Sequence, residues 1–286
     1  MIFETEYKNR PAVAVKGGNL TAVFLSLDGG KMASLKTDDG TELLEQAKGE
    51  NYRPLTLDGS YIDAECSAFD DMFPTIDPCS IAGHDYLDHG EVCRIEHTAE
   101  IKAEKLLLSC IAKSVNARFS KEIYAEKNGI SIKYSIENLN SKPLPYIWAG
   151  HMMFAAKKGA KVFSNVPQSS NIRVTFGKIP QNPEIIGDYS TDGESYKYYL
   201  EDAVSPLCCG IEYFDGKKVT VSFDNDTVCR LGVWMNNGSF KGMYNIALEP
   251  CTAPYDSPVN AENENVASVI EANSTVEFTM HLGYTN

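Results

Sequence analysis

The alternation of apolar and polar residues in short runs is the feature that most limits how this chain can fold. Apolar side chains occupy every second position from Ile130 to Ile136, and Asn128-Gly129 just before them is a strong hairpin-turn signal. The same arrangement recurs on both sides of Asp215-Gly216 and again from Val276 to Leu282. A period of two is typical of half-buried β-strands. The pattern therefore predicts strands joined by tight antiparallel turns.

Helical periodicity is nearly absent from the chain. Residues 99–110 can be drawn as a helix, but their apolar positions fit two neighbouring strands equally well. No regular succession of strand and helix indicates a parallel sheet, and no linker or low-complexity tract divides the chain. We therefore predict that residues 1–286 form a single domain of the all-β class, a large antiparallel β-sandwich.

Three connections are long and rich in proline and glycine: residues 58–90, 163–203 and 249–265. Long loops in a compact β-domain are usually functional. Sandwiches of this kind commonly bind ligands on a concave sheet face that such loops close. We expect the functional residues on that face or in those loops.

The charge and cysteine content indicate which partners and compartment to expect. With 39 acidic and 26 basic residues, the formal net charge of −13 repels nucleic acid and anionic membranes, so neither is an expected partner. Neither a signal peptide nor an apolar run of membrane-spanning length is evident, which predicts a cytoplasmic protein. The eight cysteines are then expected to be reduced, and we interpret them as small core residues.

One short stretch combines a histidine with an aromatic surface. His151 follows Gly150 and precedes Met152-Met153-Phe154, which places it at the edge of buried structure, where an imidazole can exchange protons near neutral pH. A core histidine bonded to a backbone carbonyl is an equally good interpretation. Trp148 offers a flat face suited to stacking on a sugar ring, although tryptophan more often fills a core.

Glu249 ends an apolar run, Tyr244 to Leu248, and is followed by Pro250. A carboxylate at the inner end of a strand is costly unless it is paired or functional. Partial burial raises a carboxyl pKa towards the range that suits a general base. A surface glutamate at a strand end is the plainer alternative.

Residues 84–91 hold His84, His89 and several carboxylates, which could ligate a metal ion. Their spacing matches no known ligand pattern, and a solvated polar loop explains the composition as well. We predict no metal site and no cofactor.

Several short motifs resemble the aldose 1-epimerase (galactose mutarotase) superfamily, and together they extend over nearly the whole chain. Residues 27–44 are similar to the opening hairpin of that family, residues 150–154 to its His-x-x-Phe motif, and residues 246–252 to the strand that presents its catalytic glutamate. Residues 69–76 and 87–92 resemble a less studied, epimerase-like branch. The well-known Asn-x-x-x-x-Leu-His-Gly-Gly motif is absent, and Asp88-His89-Gly90-Glu91 is its expected replacement.

The resemblance implies a large β-sandwich and an isomerase of carbohydrate metabolism that binds a small-molecule carbohydrate. Glu249 would be the base that removes the C1 hydroxyl proton, and His151 the acid that protonates the ring oxygen. His89 would donate a second hydrogen bond to the ring, while Trp148 and either Asp70 or Asp71 would shape the pocket. The sugar, its anomeric preference and the oligomeric state are left open.

Three other functions remain open at this level. The chain could be a non-catalytic carbohydrate-binding protein on the same fold. It could be a glycoside hydrolase or lyase, for which Glu249 would need Asp71 or Glu91 as a second carboxylate. A sugar-phosphate epimerase would need arginines to converge on the pocket, and the candidates are Arg53, Arg94 and Arg173.

Overall fold

The computed structural model describes residues 1–155, 159–185 and 193–285, and almost all of their regular structure is strand. The strands are β1 Ile2–Tyr7, β2 Arg10–Gly17, β3 Leu20–Leu25, β4 Lys31–Thr37, β5 Phe69–Met72, β6 Cys79–Ile81, β7 His84–Tyr86, β8 Thr98–Lys102, β9 Lys105–Ala112, β10 Ala117–Glu126, β11 Gly129–Asn138, β12 Leu144–Tyr146, β13 Ala149–Ala155, β14 Lys161–Ser164, β15 Ile172–Phe176, β16 Ser195–Leu200, β17 Cys208–Glu212, β18 Lys218–Phe223, β19 Arg230–Asn237, β20 Tyr244–Cys251, β21 Ser268–Ile270 and β22 Thr275–Thr285. A 3-10 turn, Val92–Arg94, and one short α-helix, α1 Pro258–Asn263, complete the regular structure of the described residues.

Two large sheets contain most of these strands. The larger has ten strands in the order β1-β2-β3-β4-β5-β13-β20-β19-β16-β15, and the smaller has eight in the order β14-β17-β18-β22-β11-β10-β9-β8. Neighbouring strands pair antiparallel in both, so the prediction of an all-β antiparallel sandwich is confirmed. Residues 98–112 form the hairpin β8–β9 rather than a helix.

The hairpin predicted at Asn128-Gly129 joins β10 to β11, with Glu126 paired to Gly129. Gly129 has a φ of +149°, and a Cβ atom there would lie 1.9 Å from the carbonyl oxygen of Leu282 on β22. Only glycine fits so close an approach of two backbones. The residue therefore fixes both the turn and the packing of β22 against it.

The sandwich core lies between the inner faces of the two sheets. Met152 and Leu248 of the larger sheet belong to the same buried apolar cluster as Ile123 and Ile132 of the smaller one. Because successive side chains in a strand point to opposite faces, the residues that alternate with this inner set face the other way. These outward residues of the central strands lie beneath the long loops.

The register of the larger sheet aligns one row of outward-facing residues across six strands. His151 pairs with Asp70, and Glu249 pairs with Gly232. The pairs Ala149–Cys251 and Met152–Leu248 place His151 opposite Glu249. In strand order the row is Lys31, Asp70, His151, Glu249, Gly232 and Tyr199.

The eight cysteines, all within the described residues, carry free thiols. Four are buried, as expected of small core residues, and Cys66, Cys79, Cys208 and Cys229 are only partly buried. Within residues 1–155, 159–185 and 193–285, no helix is long and apolar enough to cross a membrane.

Candidate active site

A cavity of about 290 Å³ lies over the row of outward-facing residues on the larger sheet. Its polar end is lined by His151, Glu249, Lys197, Asp256 and His89. The predicted connections 58–90 and 249–265 supply His89 and Asp256 from loops, and His151 and Glu249 lie on β13 and β20. Three of the residues singled out from the sequence, His89, His151 and Glu249, therefore surround one cavity.

The prediction of a loop over 163–203 is corrected, because its described part contains β15 and β16, and β16 carries Lys197. Residues 186–192 of that connection lie outside the described residues.

His151 and Glu249 face each other from adjacent strands, β13 and β20. Nε2 of His151 lies 3.7 Å from Oε1 of Glu249. Burial lowers the pKa of His151 well below its ordinary value, and the charges of His89 and Lys197 act in the same direction. Burial raises the pKa of Glu249, although Lys197 opposes that shift. Both shifts favour the uncharged form of each group.

Lys197, on β16, is a central charge of the cavity that the sequence did not reveal. Its Nζ lies 2.7 Å from Oε2 of Glu249 and also forms an ion pair with Asp256. Burial by itself lowers the pKa of Lys197, but Asp256 and Glu249 outweigh it and raise that pKa, so the amine stays charged. Lys197 therefore neutralises Oε2 of Glu249 from one side, while Oε1 faces His151.

Asp256 belongs to the predicted loop 249–265 and is held from two sides. Its carboxylate accepts a hydrogen bond of 2.7 Å from the Tyr199 hydroxyl as well as the Lys197 ion pair. Its backbone oxygen accepts the N–H groups of Ile76 and Asp77 at 3.0 and 2.7 Å. The loop carboxylate is therefore fixed at the mouth of the strand-borne site.

His89 reaches the cavity from the loop that differs from the familiar motif. Its ring stacks on Tyr61 with a centroid separation of 3.8 Å and lies edge-on to His151 at 5.8 Å. Nδ1 of His89 lies 2.8 Å from Oδ1 of Asp88, which favours a proton on Nδ1. Nε2 is then the ring nitrogen that can serve a ligand.

Tyr61 connects the histidines to Asp70. Its hydroxyl donates to Oδ2 of Asp70 at 2.8 Å and lies 3.4 Å from Nδ1 of His151. Asp70 is also paired with Lys31 at 2.6 Å. Since the Tyr61 proton is directed to Asp70, the phenol oxygen can accept Nδ1–H of His151 and orient its Nε2 towards Glu249. Asp70 does not line the cavity. The prediction that it shapes the pocket is corrected, because it lies behind Tyr61 and bonds to the hydroxyl of that residue.

Asp71 and Trp148 lie on the inner side of the same sheet. Asp71 pairs with Lys121 of β10 at 2.7 Å and accepts the indole N–H of Trp148 at 3.1 Å. Trp148 is fully buried in the sandwich core. Neither residue lines the cavity, because Asp71 follows Asp70 in the strand and therefore points to the opposite face. The prediction that they shape the pocket is corrected.

The tryptophan at the cavity is Trp234 on β19. It forms an aromatic wall with Phe176 and Phe240, whose ring centroids lie 5.4 and 5.1 Å from its own. Trp234 lies two residues after Gly232, the partner of Glu249, so period-two alternation puts it on the outward face. The alternation is visible in the sequence, but the pairing that gives it meaning is not.

The histidine-rich loop does not gather its polar residues. His84 contacts the carbonyl of Ser114 through Nδ1 at 2.8 Å, and Glu91 accepts the N–H groups of Lys113 and Ser114 at 3.0 and 2.9 Å. No group of three or more His, Cys, Asp or Glu residues in the described ranges is placed to hold a metal ion. Glu91 and Asp71 are both directed away from Glu249, so neither can be its hydrolytic partner.

The three arginines considered for phosphate binding do not converge on the cavity. Arg94 is buried and donates to backbone carbonyls, including those of Thr56 and Gly59. Arg53 lies 3.7 Å from Glu65 in an ion pair. Arg173 lies in an adjoining groove rather than in the cavity itself.

Solved structures with the same architecture carry carbohydrate-enzyme names. A galactose mutarotase-like protein from Clostridium acetobutylicum is 16% identical and superimposes with a TM-score of 0.68, covering 100% of this chain and 98% of that one. A galactose mutarotase-like protein from Lactobacillus casei ATCC 334 is 14% identical, with a TM-score of 0.66 and coverages of 96% and 100%. This chain has the galactose mutarotase-like fold.

A galactose mutarotase related enzyme from Lactobacillus acidophilus gives the same result, with 12% identity, a TM-score of 0.67 and coverages of 96% and 97%. No protein-family model and no curated protein sequence matches the chain. At these identities the likeness shows the fold alone.

Proposed function

We propose that the protein is an aldose 1-epimerase-like isomerase that interconverts the anomers of a reducing sugar. The observation that carries the proposal is the separation of 3.7 Å between Nε2 of His151 and Oε1 of Glu249 at the floor of the cavity. Ring opening of a hemiacetal needs one group to remove a proton and another to supply one. A carboxylate and an imidazole on adjacent strands are suited to those two roles.

The reaction proceeds by two coupled proton transfers. Glu249 takes the proton of the C1 hydroxyl as the bond between C1 and the ring oxygen breaks, and His151 delivers a proton to that oxygen. The product is the open-chain aldehyde, with a protonated Glu249 and a neutral His151. After rotation about C1–C2 the transfers reverse and the other anomer closes. Each positioned transfer contributes on the order of 10²–10⁴-fold.

The reactive state has a carboxylate at Glu249 and an imidazolium at His151. The raised pKa of Glu249 and the lowered pKa of His151 both work against that state in the empty cavity. Transfer of one proton between the two side chains interconverts the neutral and charged pairs. The positive charge of Lys197 favours the carboxylate of Glu249 and disfavours the imidazolium of His151, so this lysine influences the protonation of both groups.

The remaining cavity residues fit the binding of a pyranose. His89 can present Nε2 to a ring hydroxyl while Asp88 holds its Nδ1. The aromatic wall around Trp234 offers a flat apolar surface for the C–H face of a sugar. A sugar phosphate fits less well, because three carboxylates line the cavity against two lysines, and one of these, Lys197, is already paired with Glu249 and Asp256.

A non-catalytic carbohydrate-binding protein is the second candidate. It is favoured by the same pKa shifts, since uncharged His151 and Glu249 can bind hydroxyl groups without exchanging protons with the sugar. It predicts saturable binding of a sugar without any acceleration of anomer exchange.

Anomer exchange followed by NMR distinguishes these candidates. The purified protein is expected to exchange the anomers of a reducing sugar faster than buffer, and Glu249→Gln and His151→Asn are each expected to reduce that acceleration by about 10²–10⁴-fold. Glu277→Gln is the matched control, because Glu277 forms an exposed ion pair with Lys133 outside the cavity. Full rates in both site variants would contradict the proposal, and binding without exchange would select the second candidate.

A further inference from the structure

A second recess adjoins the active cavity. It is an open groove of about 390 Å³ that shares Asp77, Thr175 and Asp256 with the cavity as common lining residues. The two recesses therefore adjoin each other at these three residues. The aldose 1-epimerase reaction itself uses only the first of them.

The far wall of the groove is lined by polar, mostly planar side chains. The Arg173 guanidinium lies 4.3 Å from the ring centroid of Tyr255 and donates to Glu264 at 3.1 Å. Asn260 and Asn263 of α1 complete the wall. Guanidinium, carboxylate and amide groups each present two neighbouring hydrogen-bonding atoms, which match adjacent hydroxyls on a pyranose ring.

The balance of charge indicates a neutral ligand in the groove. One cation, Arg173, faces the carboxylates of Asp77, Asp256 and Glu264. Arg173 is already paired with Glu264 and with Glu201, each at 3.1 Å. A phosphate or carboxylate would have to displace those pairs, whereas a sugar hydroxyl can bond to donor and acceptor together.

Two consecutive residues join the groove to the cavity. Tyr255 and Asp256 have φ values of +76° and +68°, a conformation that is rare for residues other than glycine and especially for a bulky one. Such strain persists only where surrounding contacts enforce it. Here it directs the Tyr255 ring into the groove and the Asp256 carboxylate onto Lys197 in the cavity.

We propose that the groove is a second saccharide subsite and that the protein acts on a reducing disaccharide or longer oligosaccharide. The reducing-end residue lies between His151 and Glu249, and the next residue of the chain lies against Arg173, Asn260 and Asn263. The placing of the reducing end rests on the proposed epimerase function. The subsite itself is argued from the position, polar lining and charge balance of the groove.

The test compares monosaccharides with disaccharides in the intact protein. Glucose and galactose are set against maltose, cellobiose and lactose, with kcat/KM for anomer exchange measured by NMR. We expect kcat/KM for at least one disaccharide to exceed that for both monosaccharides by about tenfold, which corresponds to one or two additional hydrogen bonds.

Two variants of the groove test the same inference. Arg173→Met removes the guanidinium, and Asn263→Trp fills the groove from the exposed end of α1. Each is expected to lower kcat/KM for that disaccharide by about five- to tenfold and leave both monosaccharides unchanged.

Arg118→Met is the matched control, since Arg118 forms an exposed ion pair with Glu137 on the smaller sheet. A kcat/KM that is no higher for any disaccharide than for the monosaccharides, or a disaccharide preference that neither groove variant lowers, would overturn the inference while leaving the epimerase proposal standing. If no sugar is accelerated, the epimerase proposal fails, and titration of the same sugars decides the subsite. Tighter binding of a disaccharide that Arg173→Met weakens would support the subsite, and equal affinity for monosaccharides and disaccharides would overturn it.

Discussion

Two buried lysine–carboxylate pairs lie on opposite faces of the ten-stranded sheet, and their difference defines the site. Asp71 lies on the inner face and pairs with Lys121 of the smaller sheet, whereas Lys197 and Glu249 both lie on the outer face, and the nitrogen–oxygen distance is 2.7 Å in both pairs. The inner pair is enclosed by the sandwich, and the second oxygen of Asp71 accepts the indole of Trp148. The outer pair opens on a cavity.

The comparison shows that burial and charge alone do not identify a functional carboxylate. Asp71 has bonds to both of its oxygens and does not line the cavity. Glu249 is equally buried, but it lines the cavity, with Oε2 paired to Lys197 and Oε1 facing His151. A position on the cavity rather than inside the sandwich is what distinguishes Glu249 from Asp71.

The largest effect is expected from breaking the inner pair. Lys121→Met leaves Asp71 buried without its cation, which is expected to lower the free energy of unfolding by about 3–5 kcal/mol. Urea denaturation measures this loss. The kcat/KM per folded molecule should not change, because Lys121 does not line the cavity. Adding Asp71→Leu to that variant should recover much of the loss.

An unchanged free energy of unfolding in Lys121→Met would show that the inner pair does not stabilise the fold. A drop in activity per folded molecule would show that the two faces of the sheet are coupled.

Much of the fold can be predicted from the sequence, but the difference between the inner and outer faces of the larger sheet cannot. Alternation from Ile130 to Ile136 is local and identifies the strands without further information. Asp70 and Asp71 are neighbours, so their opposite roles depend on which face of β5 meets the other sheet. That choice is set by pairing between distant segments, which alternation along one strand does not reveal.

The residues of the candidate site are likewise predictable only where a local motif marks them, because the strand register cannot be read from the sequence. The family resemblance supplied His89, His151 and Glu249, because motifs identify residues without the register. Closeness in sequence to His151 favours Trp148, but the register places Trp234 at the cavity. Lys197 has one visible signal, since it is the only charged residue in the aromatic run from Tyr196 to Tyr199.

A second prediction concerns His97, which lies in the interior near Lys121. Burial lowers the pKa of His97 to about 3, and the charge of Lys121 acts in the same direction. Below pH 6.5 the unfolded chain therefore binds a proton that the folded protein does not, so stability falls as the pH falls towards 3. Each pH unit in that window costs about 1.4 kcal/mol for this group.

Denaturation of the wild type and His97→Gln at several pH values checks this prediction. The stability difference between the two proteins should shrink steadily as the pH is lowered from 6.5. A constant difference would contradict it.

The two tryptophans provide the third prediction. Trp234→Ala removes the centre of the aromatic wall and is expected to raise KM for the sugar by about five- to tenfold. Trp148→Phe removes the indole bond to Asp71 and is expected to lower stability by about 1–3 kcal/mol without changing KM. Kinetics and denaturation of both variants measure the two effects. A raised KM in Trp148→Phe together with an unchanged KM in Trp234→Ala would contradict the prediction, because it would place the sugar-binding surface on the inner face of the sheet.

The smallest expected effect is a change in pH dependence. Lys197→Met removes a cation that lowers the pKa of both Glu249 and His151, so the pH profile of kcat/KM should move to higher pH by about one unit. Lys197→Arg keeps the charge and should keep the profile in place. A profile that is the same in all three proteins would show that Lys197 does not set the protonation of Glu249.

The central claim is that Glu249 acts and Asp71 only supports, and one pair of variants tests it most directly. Anomer exchange by NMR is measured for Glu249→Gln and Asp71→Asn, each corrected for its folded fraction. The predicted result is a loss of about 10²–10⁴-fold in Glu249→Gln and an unchanged rate per folded molecule in Asp71→Asn. Full activity in folded Glu249→Gln, or a comparable loss in folded Asp71→Asn, would contradict the account.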